Sequence, residues 1–364
     1  MKVTRFPLAI AATCLLAACN IGGSNAPDAQ LIEQVYERGN FGKARGLIAS
    51  AFKAGESNGK IRLIAAQVDL ARGDGTGAET SLHAAKSAGI AEKTILPLLA
   101  EAQARQQRPE KAIASAKKSG RKATIAFVRG LNAWAANKPW DAREALEEAY
   151  RLDSTNHRLA IDLARARSEL GLFPEAREAV RRVQKAQPEN IIAALTLGDI
   201  DMRARDYKAA EAAFIAALNL APGSNNAQAG LAGALYAQKK FGAALKRLHG
   251  LPKGVVQRPE MQLLAGKIAV RQARYANART HFANARDLVE SDSEAMFLSG
   301  KTLLKLGQPW KAIHLMEGAL RSRPDLPEYH GGLIRAYRAA GDESAAQAKL
   351  AAIPGSIRRQ VNVR

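Results

Sequence analysis

Six histidines and two cysteines are the residues best able to hold a metal or act as nucleophiles, and their spacing supports neither role. His83, His157, His249, His281, His314 and His330 are scattered, never paired at metal-ligand spacing. No HExxH, GxSxG, CxxC or glycine-rich phosphate loop occurs. Acidic pairs such as Glu147 and Glu148 could serve acid–base chemistry, but they read as the solvated face of a helix. No catalytic residue, metal site or cofactor is therefore nominated, and the chain reads as a binding protein, not an enzyme. What remains is charge. The 54 Lys and Arg outnumber 34 Asp and Glu, a formal +20. Residues 101–130 hold eight Lys or Arg against two Glu, and residues 238–274 hold nine against Glu260 alone. A surface of that sign attracts polyanions.

The elements that position these charges are written in a period. Alanine recurs at 44, 78, 112, 142, 176, 210, 244, 278, 312 and 346, at intervals of 34 except the one of 30 after Ala112. Four residues on stand mostly large apolar residues (Ile48, Leu82, Leu146, Val180, Phe214, Leu248, Phe282, Met316), and seven on mostly small or apolar ones. Spacings of three and four place these columns on one face of one helix per repeat. Twelve residues before eight of these alanines lies a small residue (Ala66, Ala100, Gly130, Ala164, Gly198, Ala232, Gly266 and Gly300), which lets a first helix approach the second; Ile334 in this column marks the last repeat as a variant capping unit. Trp140 and Trp310, in the parallel contexts NKPWDA and GQPWKA, look structural. The apolar fraction is 47% with only 5% aromatics. Local burial between neighbouring helices needs no large aromatic core.

A 34-residue period with these columns resembles the tetratricopeptide repeat (TPR). The resemblance covers residues 25–360 and implies an all-α superhelical solenoid of about ten antiparallel helix pairs. The repeats start near 25, 59, 93, 123, 157, 191, 225, 259, 293 and 327.

The first residues read differently. Lys2 and Arg5 precede an apolar run, Leu8 to Ala18, too short to span a bilayer comfortably. The run ends in Leu16-Ala17-Ala18-Cys19, which resembles a bacterial lipobox. That resemblance implies a signal peptide over 1–18, lipidation of Cys19 and a tether over 19–28. Cys14 lies in the discarded part, so no disulfide is expected. Asn20 after the cysteine favours the outer membrane, with the solenoid facing the periplasm; the inner membrane is the alternative.

In TPR proteins the first helix of each pair lines the concave groove through its fifth, ninth, twelfth and thirteenth residues. Carried onto this chain, that resemblance nominates Trp134, Arg165, Arg203, Tyr236, Lys267, Arg271, Lys301, Lys305, Arg335 and Arg338 as a basic groove with aromatic platforms. Such a groove suits an acidic peptide or an acidic polysaccharide. The export signal argues against nucleic acid as the polyanion.

The stretches DAQLIEQVYERGNFGKARGLIASAF, VDLARGDGTGAETSLHAAKSAGI and LPLLAEAQARQQRPEKAI resemble the TPR lipoproteins of exosortase and exopolysaccharide gene clusters. This implies a scaffold for envelope proteins of an export machine, in exopolysaccharide export or surface sorting. The alternatives are a pilus or secretin assembly lipoprotein and a direct binder of acidic polysaccharide.

Overall fold

The computed structural model describes residues 27–288 and 292–362. The expected signal peptide and the lipidation site Cys19 lie outside the described residues, as does most of the tether. Within them every element is helical. Ten hairpins follow one another: α1–α2 (Ala29–Glu37, Phe41–Lys53), α3–α4 (Gly59–Ala71, Gly75–Ser87), α5–α6 (Glu92–Arg105, Pro109–Ser119), α7–α8 (Lys122–Ala135, Pro139–Leu152) and α9–α10 (His157–Glu169, Phe173–Ala186). They continue with α11–α12 (Ile191–Arg203, Tyr207–Leu220), α13–α14 (Asn225–Ala237, Phe241–His249), α16–α17 (Pro259–Arg271, Tyr275–Leu288), α18–α19 (Ser293–Lys305, Pro309–Ser322) and α20–α21 (Pro327–Ala339, Glu343–Ala351). Two single-turn helices, α15 (Lys253–Val256) and α22 (Gly355–Arg358), lie outside the hairpins. Among the described residues no helix is long and apolar enough to cross a membrane.

The helices begin where the sequence can satisfy their first amides. Asn58, Asn156, Asn190 and Asp292 each accept a hydrogen bond from the backbone N–H three residues on, starting α3, α9, α11 and α18. Proline opens α6, α8 and α19, where its missing N–H leaves nothing unsatisfied.

The ten periodic alanines are all 0% exposed. They form the seam on which each second helix meets its neighbours. Where the residue four places on is Leu146, Phe214, Phe282 or Met316, the facing first helix carries glycine. A Cβ on Gly198 would stand 2.6 Å from the Phe214 ring, one on Gly266 2.4 Å from Phe282, and one on Gly300 2.7 Å from Met316. Where that residue is Val180 or Ala116, the facing residue is alanine (Ala164, Ala100), fully buried. At these six hairpins the two columns thus compensate each other in volume, as a close-packed interior requires.

Each hairpin turn holds one residue in the left-handed region. Five are glycines (39, 73, 171, 307, 341) and five are Gln107, Asn137, Arg205, Lys239 and Ala273, at φ of 56–64°. An L side chain there costs about 1–2 kcal/mol, partly offset because glycine loses more freedom on folding. Ala273 is exposed, so its side chain contributes no packing. Ala273→Gly should stabilise the chain by about 0.5–1 kcal/mol. A urea midpoint that stays put or falls would mean the turn carries no strain.

The expectation that Trp140 and Trp310 are structural is corrected: both are 62% exposed, as the second residue of α8 and of α19. Position two of the second helix faces away from both seams. The Arg143 guanidinium lies over the Trp140 ring, 5.4 Å from its centroid.

Candidate functional site

Curvature brings the first helices of distant hairpins face to face, and this defines an inner surface. In the N-terminal half it closes. The turn between α1 and α2 meets the turn between α10 and α11. The Glu189 amide donates to the Arg38 carbonyl (3.0 Å), Asn40 Nδ2 donates to Glu189 Oε2 (2.9 Å), and the Arg38 guanidinium pairs with Glu189 at 2.5 Å. Gly39 sits against Asn190 with φ of +83°, and a Cβ there would be 2.7 Å from that of Asn190. Gly39→Ala should therefore spring this latch. The Glu189 amide is the direct reporter, and its hydrogen exchange should rise by about tenfold or more, as for a locally opened segment. Unchanged protection would show that the turn adapts without opening.

Inside the ring lies a chain of ion pairs. Glu101 on α5 is 2% exposed. It takes a forked pair from Arg158 of α9, with Nε–Oε1 and Nη2–Oε2 both at 2.9 Å. It also accepts from Arg105 Nη2 at 2.9 Å. Arg105 continues to Asp162 Oδ2 at 2.7 Å, and Arg158 donates to the Tyr36 hydroxyl of α1 at 3.1 Å. Burial by itself would raise the Glu101 carboxyl; the Arg158 and Arg105 guanidiniums overcome it and hold the group below its ordinary value. A cavity of about 460 Å³ remains beside this brace, bounded by Tyr36, Phe41, His157 and Ile192. None of these bracing residues was a candidate. The ninth place of the repeat gave only a weak signal, since the acid at Glu101 recurs there as Glu33 and Asp199, while other repeats carry Arg165, Lys267, Lys301 and Arg335.

Of the nominated groove residues, three meet in the middle of the solenoid. Trp134, Arg165 and Arg203 share a cavity of about 430 Å³ with Asp199, Thr196 and Glu169. Their charge is internally balanced. Arg203 forks onto Glu169, one arm at 2.8 Å, while Arg165 donates to Asp162 Oδ1 at 3.3 Å. Burial raises the Asp199 carboxyl, and Arg165 and Arg203 pull it back.

Five others converge further on. Tyr236, Lys267, Arg271, Lys301 and Lys305 surround a cavity of about 240 Å³, together with Tyr275 of α17. No acidic residue lines it. Lys267 is held by Glu294 at 2.6 Å. Among the described residues, Arg271, Lys301 and Lys305 have no carboxylate within ion-pair distance. Desolvation first, then the neighbouring Arg335 and Arg271, push the Lys301 ammonium below its ordinary pKa. Its Nζ lies 5.6 Å over the Phe297 ring, which stacks on Tyr329 at 4.4 Å. Arg335 joins Lys301 around an adjoining cavity of about 480 Å³. Arg338 is turned toward α21, its Nε 3.5 Å from Glu343. The expected stripe is thus continuous in position, but among the described residues only Arg271, Lys301, Lys305 and Arg335 of α16, α18 and α20 lack a carboxylate at ion-pair distance, and Glu294 and Glu328 also line the cavity shared by Lys301 and Arg335.

A helical solenoid whose inner face combines like-charged side chains with aromatic platforms is a scaffold: it works by holding a partner. Two tetratricopeptide-repeat family profiles match the chain, one over residues 133–197 and 201–268, the other over 263–327 and 298–356. The chain belongs to the tetratricopeptide-repeat family, whose solenoids mediate protein–protein interaction. No curated protein matches it. Solved structures similar to it include a tetratricopeptide repeat protein from Parabacteroides merdae, at 17% identity over 67% of this chain and 98% of that one, TM-score 0.47. Another is PilW, described as a widely conserved type IV pilus biogenesis factor, at 16% identity over 54% of this chain and 91% of that one, TM-score 0.50. At these identities the likeness is one of fold alone.

Proposed function

We propose that the chain is an envelope-assembly scaffold that holds an acidic segment of a partner protein against the first helices of its last three hairpins, α16, α18 and α20. One observation carries this reading: four cations and two tyrosines enclose one cavity with no acid among its lining residues. Unpaired like charges repel one another and favour an anionic guest, and tyrosines offer flat contact area at small entropic cost. In this reading Cys19 bears the lipid that fixes the scaffold to the periplasmic face of the outer membrane, and the partner belongs to an exopolysaccharide-export or exosortase-linked sorting machine.

Three measurements test it. A glutamate-rich peptide should bind saturably, and its affinity should fall steeply as salt rises, since several charges are screened together. Binding that ignores salt, or is equal for a lysine-rich peptide, would remove the acidic guest. Radiolabelled palmitate should enter the chain in a bacterial host and be lost in Cys19→Ala. Envelope pull-down then assigns the machine, and recovery of pilus or secretin components would move the scaffold to that system.

A further inference from the structure

Residues 354–362 belong to no hairpin, yet they are docked. After α21 the chain forms α22 and lays Ile357 and Val361 on a cluster of Ile334, Tyr337, Ala346, Leu350 and Ile353. Arg358 Nη2 donates to the carbonyls of Leu350 (3.3 Å) and Ala351 (2.7 Å). These contacts cover the apolar face that α20 and α21 leave open. The segment then goes further than a cap requires. The Asn362 carbonyl reaches α20 and accepts a hydrogen bond from Arg335 Nη1 at 2.6 Å. It fits only because residue 331 is glycine, since a Cβ there would lie 2.2 Å from that oxygen. Gly331 and Arg335 are one turn apart on α20, and Arg335 lines the same cavity as Lys301.

We propose that this closing segment is a built-in competitor for the end of the groove: Asn362 occupies Arg335 until a carboxylate of the acidic partner displaces it. The inference rests on the groove reading above. Its physical basis is the asymmetry between the two acceptors. A peptide carbonyl is neutral, whereas a carboxylate can fork onto the guanidinium in a charge-assisted pair roughly twice as strong. Release of residues 359–362 lifts Val361 with them but leaves the Ile357 anchor and the Arg358 hydrogen bonds to Leu350 and Ala351 in place, so most of the cap stays docked. A segment docked about nine-tenths of the time lowers the apparent affinity of its competitor about tenfold.

Gly331→Ala tests this with little disturbance, because it adds one methyl where the carbonyl sits and favours the helix. The probe is a fluorescent peptide of about ten glutamates, titrated against the wild-type chain, Gly331→Ala and a chain ending after Arg358. Both variants should bind about three- to tenfold more tightly. Amide exchange at 359–362 should rise in Gly331→Ala alone and in the wild type on adding peptide. If both variants bind with wild-type affinity, while Arg271→Glu with Lys301→Glu still weakens binding, the competitor is refuted and the groove stands. If the peptide binds none of the chains, the groove reading has failed and the competition falls with it.

Discussion

Reversing Arg271, Lys301 and Lys305 to glutamate is expected to weaken binding of a glutamate-rich peptide about a hundredfold, some 2.7 kcal/mol. These three are chosen because they share one cavity and have no carboxylate within ion-pair distance among the described residues. Lys267 is a poorer probe, since Glu294 holds it and its reversal would place two acids together. Each exposed charge contributes only tenths of a kcal/mol to about one, so a large effect needs all three acting on one guest. Lys246, Arg279 and Lys311 supply the comparison: the same charges, all exposed, carried on the second helices α14, α17 and α19. Their triple reversal should change affinity by less than about threefold, through the long-range field alone. Equal losses in the two triple variants would make the basic charge a general surface property. The reversal itself should leave thermal stability nearly unchanged or raise it slightly, because it relieves repulsion around Lys301.

The second large effect concerns the ring. Glu101→Ala should cost about 3–5 kcal/mol, the usual penalty for stranding the partner of a buried ion pair. Arg158 and Arg105 would both lose their link to this carboxylate, and Arg158 would keep only Tyr36 and long-range attraction to Asp162. Replacing the pair together, Glu101→Leu with Arg158→Met, should recover most of the loss, because no buried charge is then left alone. Solenoids unfold in parts, so the loss should appear first as hydrogen exchange in α1, α5 and α9, with α16–α20 little affected. A uniform loss along the chain would mean the ring is not an independent unit. The pH dependence follows from the same carboxyl. Its folded pKa lies below the ordinary 4.5, so its stabilising contribution is complete above that value and lost as pH falls through the depressed one. Acid should therefore open the N-terminal ring only below about pH 4.5, while neutral and mildly alkaline solutions leave it closed.

The helices and their seams were legible because a solenoid buries its apolar surface between nearest neighbours. Ala44 through Ala346 repeat for a local reason: each must let one second helix sit against the helices on either side, and all ten are buried. The pairing of Gly198 with Phe214 and of Gly266 with Phe282 spans sixteen residues, within reach of a periodic reading. That residues such as Arg165, Lys267 and Lys301 share one side of the first helices was legible for the same reason, since a position on the helix fixes which way its side chain faces.

Curvature was not legible, because it accumulates from small rotations between hairpins that no single column encodes. It alone brings Asn40 to Glu189, across 149 residues, and Arg158 to Tyr36 across 122. The charges were equally opaque one at a time. Arg165, Arg203 and Lys301 look alike in sequence, yet Glu169 and Asp162 neutralise the first two, and Lys301 is left among cations. By itself, then, the sequence determined the all-helical repeat, its packing seams and the face that carries the basic residues, because these depend on spacing within one or two hairpins. Only the tertiary structure decided where that face closes, which cations stay unpaired and that Asn362 returns to Arg335, because those depend on where the whole superhelix carries each residue in space.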